Sequence, residues 1–233
     1  MYPADPAQRL RATLVLAPGA GAGQTSGFMV DWASALASRG IDVLTFDFLY
    51  TAQDRKVPDR TPVLEACYRD AVEAARGHPL LTRNKVFLGG KSMGGRMASH
   101  LAAADDETAA ALSGLVLLGY PLHPPGKPDQ LRVEHLARIH VPVLVVQGER
   151  DPFGSPEELR PHFASLGASV KIHAVEGGDH SLAVRSVRRE PDRRSVGLQP
   201  DHTTGRFPPP YRGVRPQKED LQGLVASWIE RHM

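Results

Sequence analysis

Short apolar runs alternate with longer amphipathic stretches along the 233 residues. The runs at 12–17, 42–48, 85–88, 114–119, 142–147 and 169–175 predict six strands. Several are apolar throughout, the pattern of strands covered on both faces of a parallel sheet rather than on one. The stretches between them carry helical spacing. Phe28, Trp32 and Leu36 recur on one face ahead of Gly40, which suits a left-handed C-terminal cap. Thr61 and Pro62 read as a cap followed by a first-turn proline. Ser155 and Glu158 form a capping box around Pro156, with Leu159, Phe163 and Leu166 on one face. A final helix sets Leu221, Leu224, Val225 and Trp228 on a stripe. Strands alternating with helices in this order imply right-handed crossovers and a doubly wound, mostly parallel α/β sheet of about six strands.

The region from 185 to 216 does not follow this pattern. It holds six prolines and little apolar periodicity, and reads as an irregular surface insertion, mobile and dispensable for folding, within one domain spanning 1–233. Charge singles out the same stretch. Residues 185–218 carry nine basic against three acidic side chains, +6 in a chain of net +2, so the rest is at −4. A basic loop without an aromatic stacking platform is usually only solvated, so nucleic acid is not the expected partner.

Composition narrows the class further. Hydrophobic residues at 41% and charged residues at 23% are ordinary globular usage. The apolar run at 12–17 behind Arg9 and Arg11 is too short for a signal peptide or a membrane span. The single cysteine, Cys67, excludes an internal disulfide framework and suits a reducing cytoplasm. No pair of His, Cys or carboxylate residues shows a metal-ligand spacing, and neither a metal nor a cofactor is called for.

The chemistry centres on Gly90-Lys91-Ser92-Met93-Gly94, a G-x-S-x-G sequence where the third strand gives way to a helix. Such a nucleophile elbow turns sharply enough to lift the serine above the sheet edge, and glycines two residues to either side remove the collision that the turn creates. The competing phosphate-loop reading fails because a Walker motif needs glycine at position 85, which is Lys85. Gly19, Gly21 and Gly23 likewise do not give a dinucleotide fingerprint.

A serine hydroxyl needs a base, and in this fold the partners follow in the order serine, acid, histidine on loops after later strands. Asp151 follows the fifth strand and His180 the sixth. His173 is the rival base but lies inside a strand, and Glu149 is the rival acid. Asp151 is favoured because it precedes a proline and a helix cap, whereas Asp179 is too close to its neighbour to orient it. The small residues at 18–23 suit a loop whose amides approach a substrate oxygen, so Ala20 and Met93 are the expected oxyanion donors. Asp47, Tyr50, Lys91 and His123 are candidate pocket residues, and Cys67 reads as a structural thiol.

The segments 89–96, 119–127 and 148–156 together resemble small bacterial α/β-hydrolases of the dienelactone-hydrolase-like group. They are also similar to the hydrolase-like domain of an animal chromatin-complex (NSL) scaffold subunit and its testis-expressed relative. The resemblance implies the triad Ser92, Asp151 and His180 by position within those motifs. This chain carries Ser92 where dienelactone hydrolases use cysteine. About ten residues after Tyr120 leave no room for a cap domain. The expected activity is a serine hydrolase acting on an ester, thioester or related acyl bond of a small substrate. The alternative is a non-catalytic interaction module.

Overall fold

A computed structural model of the chain describes residues 1–164, 166, 169–184 and 219–233, and the proline-rich stretch expected to be a mobile insertion lies outside the described residues. Six strands form one sheet: β1 (Ala12–Ala17), β2 (Ile41–Thr45), β3 (Lys85–Lys91), β4 (Leu112–Leu118), β5 (Val143–Gly148) and β6 (Val170–Val175). Their order is β2-β1-β3-β4-β5-β6 and every pairing is parallel. The helices are α1 (Gly27–Ala37), α2 (Leu49–Ala52), α3 (Thr61–Gly77), α4 (Met93–Ala102), α5 (Glu107–Ala110), α6 (Pro156–Phe163) and α7 (Leu221–Glu230), with a 3-10 turn at Leu136–Arg138.

The unbroken apolar strands divide by alternation between two cores. Val15, Ala17, Leu88, Leu115, Leu117, Val143 and Val145 face α3, α4 and α6, while Leu14, Leu16, Val43, Phe87, Val116 and Leu144 face α1 and α7. A period of two thus feeds two layers at once, which is why apolar residues dominate both faces of the central strands, with Thr13 and Gln147 among the few buried polar residues there. The connection from β4 to β5 holds only the 3-10 turn and no inserted domain.

Local signals place most boundaries. Gly40 takes φ +88 after α1, and a side chain there would meet the Gln8 carbonyl. The capping box of Ser155 and Glu158 is formed in both directions. The start of α3 differs from expectation: Arg60 is the N-cap, Thr61 is already helical, and no side chain caps the helix. The proline fixes the first turn, and the turn needs no hydroxyl to begin. Strand β3 continues three residues beyond the apolar run, through Gly89, Gly90 and Lys91, because its flanking strands supply hydrogen-bond partners that hydrophobicity does not report.

Candidate active site

The site stands at the carboxyl edge of the sheet, where β3 ends. Ser92 has φ +50 and ψ −115, strained for a residue with a side chain, and heads α4 as its N-cap. Its amide donates to the Leu118 carbonyl at 3.0 Å, which fastens the turn to β4. The flanking glycines are obligatory. A Cβ on Gly90 would lie 2.4 Å from the Gly94 carbonyl carbon, and one on Gly94 would lie 2.4 Å from the Ala17 carbonyl oxygen. Behind the turn, the buried Tyr68 hydroxyl accepts from the Gly89 amide at 3.0 Å and lies 2.8 Å from the Val15 carbonyl, tying α3 to β1 and β3.

The three residues selected from motif, chain order and loop position come together in one hydrogen-bonded chain. His180 Nε2 is 2.9 Å from Ser92 Oγ, and His180 Nδ1 is 2.7 Å from Asp151 Oδ2. The Asp151 carboxylate is fully buried, and its other oxygen accepts from the Phe153 amide at 2.9 Å. The Phe153 ring packs on the imidazole with centroids 4.2 Å apart.

The rival residues have other work. Exposed Glu149 accepts from the Gly177 amide at 2.9 Å, and Arg150 donates to the Gly177 carbonyl at 3.1 and 2.7 Å. Together they hold the turn that carries His180. Asp179 accepts from the Ser181 and Ala183 amides, closing the other side of that turn. His173 stays in β6, away from the chain of three.

A cleft of about 470 Å³ opens beside Ser92 and His180, and both Ala20 and Met93 line it. Residues 18–23 are pulled over the serine: Gly19 lies so close that its Cβ would be 3.6 Å from that of Ser92. The Tyr50 hydroxyl accepts from the Gly21 amide at 3.0 Å, and Asp47 accepts from the Gln24 amide at 2.7 Å. Of the four candidate pocket residues, only Lys91 lines the cleft. Asp47 and Tyr50 shape the loop instead. His123 is buried beneath, its amide donating to the Phe153 carbonyl at 3.1 Å. Burial pushes the Cys67 thiol up, away from the thiolate form that a nucleophile needs.

Gln147 was not singled out by its sequence and is central. Wholly buried, it accepts from the Tyr120 amide at 2.7 Å and donates to Asp151 Oδ2 at 2.9 Å and to the Gly154 carbonyl at 2.7 Å. The available signal was a polar side chain at the end of an otherwise apolar strand. Arg96, Arg132, Phe28 and Phe153 also line the cleft unannounced. Among the described residues no group of three or more His, Cys, Asp or Glu could hold a metal ion, and no helix is long and apolar enough to cross a membrane.

A parallel sheet in this order, with a strained serine between its third strand and the following helix, defines the α/β-hydrolase fold. The chain belongs to the family described as alpha/beta hydrolase domain, which matches residues 10–196. It is similar to the crystal structure of a dienelactone hydrolase from Anabaena variabilis, at 21% identity and TM-score 0.60 over 77% of this chain and 78% of that one. XC6422 from Xanthomonas campestris, described as an α/β serine hydrolase without lid, matches at 19% identity and TM-score 0.60, over 77% of this chain and 78% of that one. Est1E from Butyrivibrio proteoclasticus, solved with ferulic acid bound, matches at 15% identity and TM-score 0.62, over 73% of this chain and 82% of that one.

Proposed function

We propose that the chain is a serine hydrolase cleaving an ester, thioester or related acyl bond of a small substrate through an acyl-enzyme on Ser92. The observation that carries this reading is the unbroken chain from Ser92 Oγ through the imidazole to a buried carboxylate, mounted on a strained backbone. With Asp151 accepting from Nδ1–H, the lone pair of Nε2 faces the serine hydroxyl. As Ser92 Oγ bonds to the acyl carbon its proton passes to Nε2, and the carbonyl electrons move onto oxygen. Collapse expels the leaving group, which takes that proton. Water then repeats the sequence on the acyl-enzyme and frees the acid. The Ala20 and Met93 amides are the proposed donors to the oxyanion, since both border the cleft at Ser92 and the α4 N-terminus favours negative charge there.

A fluorophosphonate probe followed by peptide mapping tests this directly: label is expected on Ser92, and none on Ser92→Ala. That variant should lose at least about a thousandfold in kcat on an activated ester while melting as the wild type does. Folded wild-type protein that takes no label at Ser92 would overturn the reading. The second reading, a non-catalytic interaction module like the scaffold-subunit domain, would then take its place.

A further inference from the structure

Stabilisation of the oxyanion depends on a loop that has no polar side chain of its own. Residues 18–23 read Pro-Gly-Ala-Gly-Ala-Gly, and Ala20 and Gly21 are exposed at its tip. The middle of the loop is a turn: the Ala22 amide donates to the Gly19 carbonyl at 3.2 Å, and Gly21 takes φ +73. A positive φ at the third position marks a type II turn, in which the central peptide, here the one between Ala20 and Gly21, is turned over relative to the commoner type I. The two forms differ by roughly 150–170° in ψ of the second residue and φ of the third, and both admit the same closing hydrogen bond. The flanks of the loop therefore do not choose between them.

A side chain from outside the loop holds the observed form. The Tyr50 hydroxyl accepts from the Gly21 amide at 3.0 Å, and among the described residues this is the one side-chain hydrogen bond to the backbone of 18–23. Turning the peptide over breaks it. The bond also commits the Gly21 amide, and leaves the N–H of Ala20 for a substrate oxygen at the cleft, which Ala20 lines and Gly21 does not.

Tyr50 is itself fixed. Its buried ring stacks on Phe48 with centroids 6.5 Å apart, Phe48 packs edge-on against Phe46 at 5.1 Å, and Phe46 packs against Tyr68 at 5.1 Å. The Tyr68 hydroxyl accepts from the Gly89 amide on the strand that carries the nucleophile turn. One aromatic row thus ends in two hydroxyls, one on the nucleophile strand and the other on the oxyanion loop. Ring packing, rather than the sequence of the loop, sets the distance between them.

We infer that Tyr50 is a positioning residue of the oxyanion site: by accepting the Gly21 amide it holds the turn in the form that offers the Ala20 N–H to the acyl oxygen. The inference rests on the serine-hydrolase reading for its reaction and on the turn alone for the hold. A donor kept in place acts on the oxyanion more than on the ground-state carbonyl, so its displacement lowers kcat more than it raises KM.

The test compares p-nitrophenyl butyrate with its thiono analogue, which carries sulfur in place of the carbonyl oxygen, on the full chain. Sulfur is a weak hydrogen-bond acceptor, so a well-placed donor discriminates against it. Tyr50→Phe should lower kcat on the oxygen ester about ten- to hundredfold with KM within about twofold, and should shrink the oxygen-to-sulfur ratio of kcat/KM about tenfold. Because the ratio is internal to each variant, a general loss of folded protein leaves it unmoved. Gly21→Ala should act in the same way through the backbone alone, since a Cβ there meets nothing within 4 Å and only opposes φ +73. The double variant should then be within about threefold of the slower single one, whereas losses that multiply would show that Tyr50 does not act through this turn and overturn the inference. In parallel, amide exchange followed by NMR reads the hold itself: the Gly21 N–H should exchange at least about tenfold faster in Ser92→Ala/Tyr50→Phe than in Ser92→Ala, and equal rates overturn it. Wild-type turnover with kcat and ratio unchanged in Tyr50→Phe overturns the positioning role and leaves the hydrolase reading standing. Wild-type protein that hydrolyses neither ester and takes no label at Ser92 overturns the hydrolase reading and, with it, the role of Tyr50 in the reaction, even where the exchange rates differ.

Discussion

Two carboxylates follow β5 within three residues of each other, and their surroundings assign them different work. Asp151 is buried and receives His180, Gln147 and the Phe153 amide, while Glu149 is exposed and grips the backbone of the turn carrying His180. Asp151→Asn should therefore reduce kcat by about four orders of magnitude, by favouring the wrong imidazole tautomer. Glu149→Gln keeps most of its contact and should cost far less. Steady-state kinetics on one activated ester decide between them, and the reverse ranking would reassign the acid. Lys91 shows a different balance. Its buried ammonium lacks a partner, so Lys91→Met should raise stability by roughly 1 to 3 kcal/mol at neutral pH, the cost of an unsatisfied buried polar group. Burial brings the native ammonium to about 8 from an ordinary 10.5, so between those values the unfolded chain binds the extra proton and wild-type stability rises with pH. The gain in melting temperature of Lys91→Met over wild type should therefore shrink from pH 8 upward.

At the scale of elements, the nucleophile turn depends on contacts between β1, β3 and α4. A Cβ on Gly94 would meet the Ala17 and Pro18 carbonyl oxygens at 2.4 and 2.5 Å, both backbone atoms with no rotamer to yield. Gly94→Ala should cost on the order of 1–3 kcal/mol or more, as overpacking does. It should also abolish fluorophosphonate labelling, because relief of the clash displaces α4 and with it Ser92. Gln147 performs the corresponding joining between β4, β5 and α6, bridging Tyr120, Asp151 and Gly154. Gln147→Glu would set a second carboxylate where the amide now donates to Asp151, and like charges at that distance disfavour joint ionisation. The acid limb of the rate–pH profile should move to higher pH. A limb left in place, with only stability lost, would make Gln147 purely structural.

The molecule as a whole carries an acid-sensitive joint on the α3–α4 side of the sheet. His135 Nε2 lies 2.7 Å from the buried Ser99 hydroxyl, and its ring packs at a tilt of 42° against His100 with centroids 4.0 Å apart. Burial, then His100, Arg96 and Arg138, push His135 down to about 3, and burial likewise lowers His100 despite its contact with Glu65. Between the ordinary value of 6.5 and about 3 the unfolded chain binds a proton that the native ring refuses, so stability falls as pH drops through that window. Melting curves over this range should decline less steeply for His135→Gln, which can keep a hydrogen bond to Ser99. Equal slopes would remove His135 from the acid response.

Much of this architecture was legible along the chain. Six apolar runs alternating with amphipathic helices were enough for a doubly wound parallel sheet, because a strand covered on both faces has no polar side to show. The elbow glycines and the order of Ser92, Asp151 and His180 were legible for a related reason: a sharp strand-to-helix turn admits few residue types, and the loops bearing acid and base follow particular strands. The sequence favoured Asp151 over Glu149 only from the proline and helix cap that follow it, and the tertiary structure alone shows what β6 and its following turn bring against each of them. Tertiary structure likewise decided the cleft. Arg96, Arg132 and Phe153 are ordinary in their own segments and become a lining only when α4 and the loops after β4 and β5 converge. Gln147 was hidden in the same way, because the partners of a buried amide are set by distances across the fold. Patterns that one element must satisfy by itself are written in order along the chain, whereas the pairing of charges and amides across elements depends on where packing places them.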